Sequence, residues 1–91
     1  MEFKVAEAIA EEIIGHTNYK DSTKNWDETD HHFDYFKFAH RVSIFANDKY
    51  VAVYRGWSLN NDPVGEFDLR DPDCIEKAKE AVRSIHGRRN R

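Results

Sequence analysis

FDYFKFAHRVSIFANDKYVAVYRGW, residues 33–57, carries apolar and aromatic residues on both phases of a two-residue alternation. Side chains along a β-strand point alternately to opposite faces, and one face is usually buried while the other meets water. Read as one strand from Tyr35 to Phe45, the even phase holds Phe36, Phe38, His40, Val42 and Ile44. The odd phase holds Tyr35, Lys37, Ala39, Arg41, Ser43 and Phe45. Asn47-Asp48 is the expected hairpin turn, because both residues tolerate positive φ. That turn sets Ile44 opposite Val51, Val42 opposite Val53, His40 opposite Arg55 and Phe38 opposite Trp57. The apolar phases of the two strands then coincide, and a slip by one residue would separate them.

On the N-terminal side, EFKVAEAIAEEIIG reads as an amphipathic helix. Val5, Ile9 and Ile13 recur at four-residue steps, with Ala6, Ala10 and Ile14 beside them, and Gly15 is the expected left-handed stop. Residues 16–32, HTNYKDSTKNWDETDHH, show no sustained period and read as a long acidic loop. On the C-terminal side, NNDP marks a loop and VGEFDLR a short third strand, with Phe67 opposite Trp57 and Leu69 opposite Arg55. DPDCIEKAKEAVRSIHG then reads as a second helix. Asp71 is its candidate N-cap, Pro72 sits where a missing N–H costs nothing, and Ile75, Ala78, Val82 and Ile85 form its apolar stripe.

The predicted fold is therefore α+β, a two-layer sandwich in α-β-β-β-α order. A three-stranded antiparallel sheet is covered on one face by both the N- and C-terminal helices. Residues 1–87 form one domain and residues 88–91 a basic C-terminal tail. The uncovered face would carry Tyr35, Lys37, Arg41, Phe45, Tyr50 and Tyr54, with Phe45–Tyr50 and Arg41–Tyr54 as cross-strand pairs.

Charge is unevenly spread in this chain of 91 residues and net charge −3. Residues 1–34 hold three lysines against nine carboxylates, while the remainder holds eleven Lys and Arg against eight carboxylates. A nucleic-acid binder is usually more basic than this. Cys74 is the single cysteine, which excludes an internal disulfide and fits a reducing, cytoplasmic setting. No apolar run approaches the roughly 20 residues of a membrane span, and the N-terminus lacks a signal-peptide layout, so no membrane contact is expected.

Catalytic signals are sparse. There is no nucleophile elbow, no phosphate-cradling glycine loop and no paired-cysteine motif. DETDHHFD brings His31, His32 and Asp34 close in sequence, and His32 and Asp34 share a strand phase. A metal site needs three or four converging ligands, so no metal and no cofactor is expected. His40 opposite Arg55 is the one pair that could serve acid–base chemistry. Cys74 sits in the first turn of the second helix, where Asp71 and Asp73 oppose a thiolate, and reads as a buried, inert thiol.

The helix–strand–strand–strand–helix order resembles the double-stranded-RNA-binding domain. That family meets phosphates with lysines at the start of its last helix. The matching stretch here is DPDCIE, whose Asp71, Asp73 and Glu76 would repel them, and shared order alone carries no function.

Aromatic and arginine side chains on an open platform are what protein interfaces enrich. The sequence thus points to a small non-enzymatic binding protein, regulatory or inhibitory, that occludes a macromolecular partner. It would use the ring-rich sheet face together with Asp27, Glu28 and Asp30 of the acidic loop, against a protein with a basic surface or a second copy of itself. The alternative is nucleic-acid binding through the same face and the arginine tail.

Overall fold

The structure, a computed structural model, describes residues 1–28, 31–37, 40–56 and 62–87. Its elements are α1 (Phe3–Gly15), β1 (Thr23–Asp27), β2 (His32–Lys37), β3 (His40–Ala46), β4 (Tyr50–Arg55), β5 (Gly65–Asp68) and α2 (Cys74–Gly87). Among the described residues the five strands form one antiparallel sheet in the order β1-β2-β3-β4-β5. The class is α+β as the sequence implies, but the sheet has five strands rather than three.

Both extra strands come from segments whose sequence pattern hides them. The single strand expected through Tyr35–Phe45 is a hairpin: β2 and β3 pair with Tyr35 against Val42 and Lys37 against His40. The acidic stretch 16–32 is not one loop either, since Thr23–Asp27 within it forms the edge strand β1, with Trp26 opposite Phe33.

The reversal between Lys37 and His40 swaps parity. Odd residues of β2 now share a face with even residues of β3, so Phe33 and Tyr35 join Val42, Ile44, Ala46, Val51 and Val53 in the core. Ala6, Ala10, Ile13 and Ile14 of α1 belong to the same cluster, as do Cys74, Ala78, Ala81, Val82 and Ile85 of α2. The α2 stripe follows the sequence pattern. The α1 stripe is rotated: Val5 is 49% exposed, and the small Ala6 and Ala10 take its place at the sheet.

The β3–β4 hairpin turns one residue later than expected. Asn47 Oδ1 accepts the Lys49 and Tyr50 N–H groups at 2.8 and 3.0 Å, and the Asn47 N–H donates to the Tyr50 carbonyl. Asn47 thus closes the turn as its first residue, and neither it nor Asp48 adopts positive φ. The register moves by two, giving Ile44–Val53, Val42–Arg55 and Phe45–Ala52. A shift of two preserves the faces, which is why the coinciding apolar phases survive. His40 no longer lies opposite Arg55.

β4 ends early because Gly56 takes φ 77°, leaving the sheet while its N–H still donates to the Arg41 carbonyl. Phe67 consequently pairs with Val51 rather than with position 57, and the Leu69 N–H donates to the Lys49 carbonyl. The calls on Phe38, Ala39 and Trp57 fall outside the described residues, as does the tail 88–91.

Side chains bond the backbone at the end of α1 and ahead of α2, while the N-terminus of α1 has no side-chain cap. The Thr17 hydroxyl donates to the Ile14 carbonyl at 2.9 Å at the end of α1, and Gly15 stays helical rather than left-handed. Asp71 Oδ1 accepts the Asp73 N–H at 2.8 Å ahead of α2. Cys74 is buried with Sγ 3.5 Å from the Phe67 carbonyl. Burial first, then Asp71 and Asp68, push its thiol up.

These two glycines give opposite expectations. Gly56→Ala should destabilise the protein by about 1–2 kcal/mol, the cost of a side chain in the left-handed region. Gly15→Ala, in an open helical position, should stabilise it by up to about 1 kcal/mol. Urea unfolding of the two variants separates these outcomes.

Candidate functional site

The face of the sheet turned away from the core cluster is built in rows across the strands. One row runs Asp27, His32, Phe45, Ala52, Glu66, and the next runs Asn25, Asp34, Ser43, Tyr54. A third holds Thr23, Phe36 and Arg41, while Tyr50 lies opposite Asp68 at the other end. Cross-strand pairing turns these rows into contacts. His32 stacks on Phe45 with ring centroids 4.2 Å apart and an 11° interplanar angle, and Tyr54 meets Phe45 edge-on at 5.5 Å. The Arg41 guanidinium lies 4.4 Å from the centre of the Phe36 ring. Such aromatic pairs contribute about 0.5–1.5 kcal/mol each beyond the area they bury.

Arg41, Phe45, Tyr50 and Tyr54 therefore share this face, each half-buried. The cross-strand partners are Ala52 for Phe45 and Ser43 for Tyr54, not the Phe45–Tyr50 and Arg41–Tyr54 pairs that the earlier turn implied. Tyr35 and Lys37 do not belong to the face. Tyr35 is 1% exposed on the core side, where its hydroxyl donates to Glu11 Oε2 at 2.8 Å. Lys37 donates to the Asn18 carbonyl at 2.6 Å. Asp27 and Glu28 are exposed, and Asp30 is outside the described residues.

His32, Asp34 and Phe36 are members of the face that the single-strand reading missed, while Ser43 keeps the phase of Arg41 and Phe45. Strand length was the available signal. The strand read from Tyr35 to Phe45 is 11 residues, long beside a usual 5–6, whereas two strands of six and seven residues are ordinary.

At the centre, Ser43 is fully buried, with Oγ 2.5 Å from Asp34 Oδ1 and 3.0 Å from the Gly56 carbonyl. A hydroxyl has one proton, so it serves one of these acceptors at a time. His32 Nε2 lies 2.9 Å from the same Asp34 oxygen, in a contact that does not meet hydrogen-bond geometry. The three residue types of a hydrolytic triad are thus adjacent but wrongly connected. The hydroxyl addresses the carboxylate rather than the imidazole, and it is closed to substrate. His32 and Asp34 meet as their spacing implies, yet among the described residues no group of three His, Cys, Asp or Glu could hold a metal. His31 lies apart, with its ring 6.2 Å from that of Phe3.

The face is acidic at its margins. Asp27 stands on β1, and Glu66 and Asp68 stand on β5, all exposed. Arg70 reaches Asp68 through Nη2 at 2.9 Å and Nε at 3.2 Å, holding that carboxyl down at about 2. Tyr54 is pushed up by burial first and then by Tyr50, Glu66 and Asp62.

Comparison with family models, curated proteins and solved structures gave no match. No described helix is long and apolar enough to cross a membrane.

On the core side, a polar cluster ties α1 to the sheet edge. Lys24 Nζ bonds Glu7 Oε2 at 2.8 Å and Glu11 Oε1 at 3.4 Å, beside the Tyr35–Glu11 bond. Burial first, then Glu11 and Glu7, carry Tyr35 far above the ordinary phenol range. Burial alone would lower Lys24, but Glu7 and Glu11 outweigh it and raise it. Both groups hold their protons more tightly folded than unfolded, so their contribution is complete below about pH 10 and falls as pH rises through the folded values. Stability should therefore decline above pH 10, and Tyr35→Phe should flatten that decline. Denaturant unfolding between pH 8 and 11, roughly the window around the ordinary phenol value, measures both slopes.

Proposed function

We propose that the protein is a small non-enzymatic binding protein, regulatory or inhibitory in role, that covers part of a macromolecular partner with the sheet face opposite the core. In this reading both helices pack on one side of the sheet and leave the other to the partner. The observation that carries it is the row Asp27, His32, Phe45, Ala52, Glu66, a stacked aromatic centre with an exposed carboxylate at each end. Interfaces share this anatomy, with aromatic anchors inside a polar rim.

The charge of the face favours a basic protein surface as partner. With Asp68 paired to Arg70, Asp27, Asp34 and Glu66 still outnumber Arg41 on it, and Lys37, counted for phosphate binding in the sequence reading, lies on the other side. A phosphate backbone would meet mostly like charge, and a second copy of the same face would set carboxylates against carboxylates. Rim carboxylates of this kind raise the rate of approach and orient it, while the rings supply most of the residence time.

Affinity capture from host cells tests the reading. Wild type and a Val64→Ala control should recover the same partner. Phe45→Ala/Tyr54→Ala should lose at least tenfold in recovery, and Glu66→Lys should slow association and reduce its salt dependence. Equal recovery by all four proteins, with the variants shown folded by circular dichroism, would reject the face as the binding surface.

A further inference from the structure

Lys20, Lys37 and Arg83 come from three separate elements: the turn after α1, the end of β2 and the body of α2. They line one open hollow of about 630 Å³, together with His16 and Asn18. Lys37 Nζ donates to the Asn18 carbonyl at 2.6 Å, and Arg83 Nη2 donates to the His16 carbonyl at 3.0 Å. These bonds serve carbonyls at and just past the C-terminal end of α1, which the helix itself leaves unpaired. They also fix both cations at the wall of the hollow.

Neither cation is used up by this. An ammonium has three donors and a guanidinium five, and Arg83 places one more on Glu80 Oε2 at 3.3 Å. Lys20 is exposed beside them, and no carboxylate is among the described residues that line the hollow. In a chain of net charge −3 this is a concentration of positive charge with its own shape. Cations held in advance by backbone bonds lose little freedom on meeting an anion, and an Arg beside lysines suits a group with several acceptor oxygens.

We propose that this hollow is a binding site for the phosphate of a small phosphorylated ligand. Two lysines, with Arg83 shared with Glu80, match one phosphate group, whereas a nucleic-acid strand requires a longer track of cations. The volume falls within the roughly 300–1,000 Å³ typical of small-molecule sites. The hollow lies on the helix side of the sheet, so the site is independent of the acidic face.

The test is an amide chemical-shift titration of the whole chain with inorganic pyrophosphate at low salt, with a short single-stranded oligonucleotide as a second arm. Saturable shifts should centre on residues 15–20, 37 and 83. Lys20→Gln, an exposed change, should weaken binding roughly tenfold, the loss of about one charge-assisted hydrogen bond. Arg83→Gln should weaken it at least as much. The proposal is overturned if pyrophosphate gives no saturable shift, if the shifts lie elsewhere, or if both variants bind as wild type does. It is likewise overturned if only the oligonucleotide binds, which would give the hollow to a nucleic-acid backbone.

Discussion

The pairing of Tyr35 with Val42 is the constraint from which the rest of the molecule follows. Because side chains alternate along each strand, one cross-strand pair fixes the facing of every residue on both strands. With Tyr35 beside Val42, Phe33 and Tyr35 must enter the core, and His32, Asp34 and Phe36 must appear on the opposite face. The helical layer is then docked by chemistry that only an inward tyrosine can offer. Its ring fills the core while its hydroxyl reaches Glu11 at the margin, and Lys24 draws Glu7 and Glu11 onto the sheet edge. A tyrosine suits this place because its body is apolar and its tip polar.

The same cluster governs how the sheet edge behaves. A peripheral strand offers unpaired backbone groups to other chains, and proteins guard against this with inward-pointing charges and short edges. Lys24 on β1 points to the helix side and is held by two carboxylates, while β5 is only four residues long and carries Glu66 and Asp68. Both edges are thereby made poor partners for strand addition.

Charge is correspondingly divided between the two sides. Carboxylates flank the aromatic rows of the face opposite the core cluster, and the cations Lys20, Lys37 and Arg83 collect around the end of α1. A modest net charge thus conceals two local fields of opposite sign. Local fields, rather than the sum, determine which molecules approach and in what orientation. The division also depends on the parity set by the β2–β3 hairpin, since that hairpin takes Lys37 away from the acidic side.

The sequence by itself determined both helices, the β3–β4 hairpin with its facing, and the grouping of Arg41, Phe45, Tyr50 and Tyr54. Each rests on local periodicity, and facing survives a register shift of two because the strand period is two. It did not disclose β1, whose TKNWD pattern is polar and lacks clear alternation, nor the reversal between Lys37 and His40. No Gly, Pro, Asn or Asp stands between Tyr35 and Ala46 to announce a turn. Tertiary structure decided that reversal, and with it the burial of Tyr35 and the placing of His32 beside Phe45 on the opposite face. The physical reason is that either parity offers apolar residues to the core, and long-range packing selects between them where local propensity is silent.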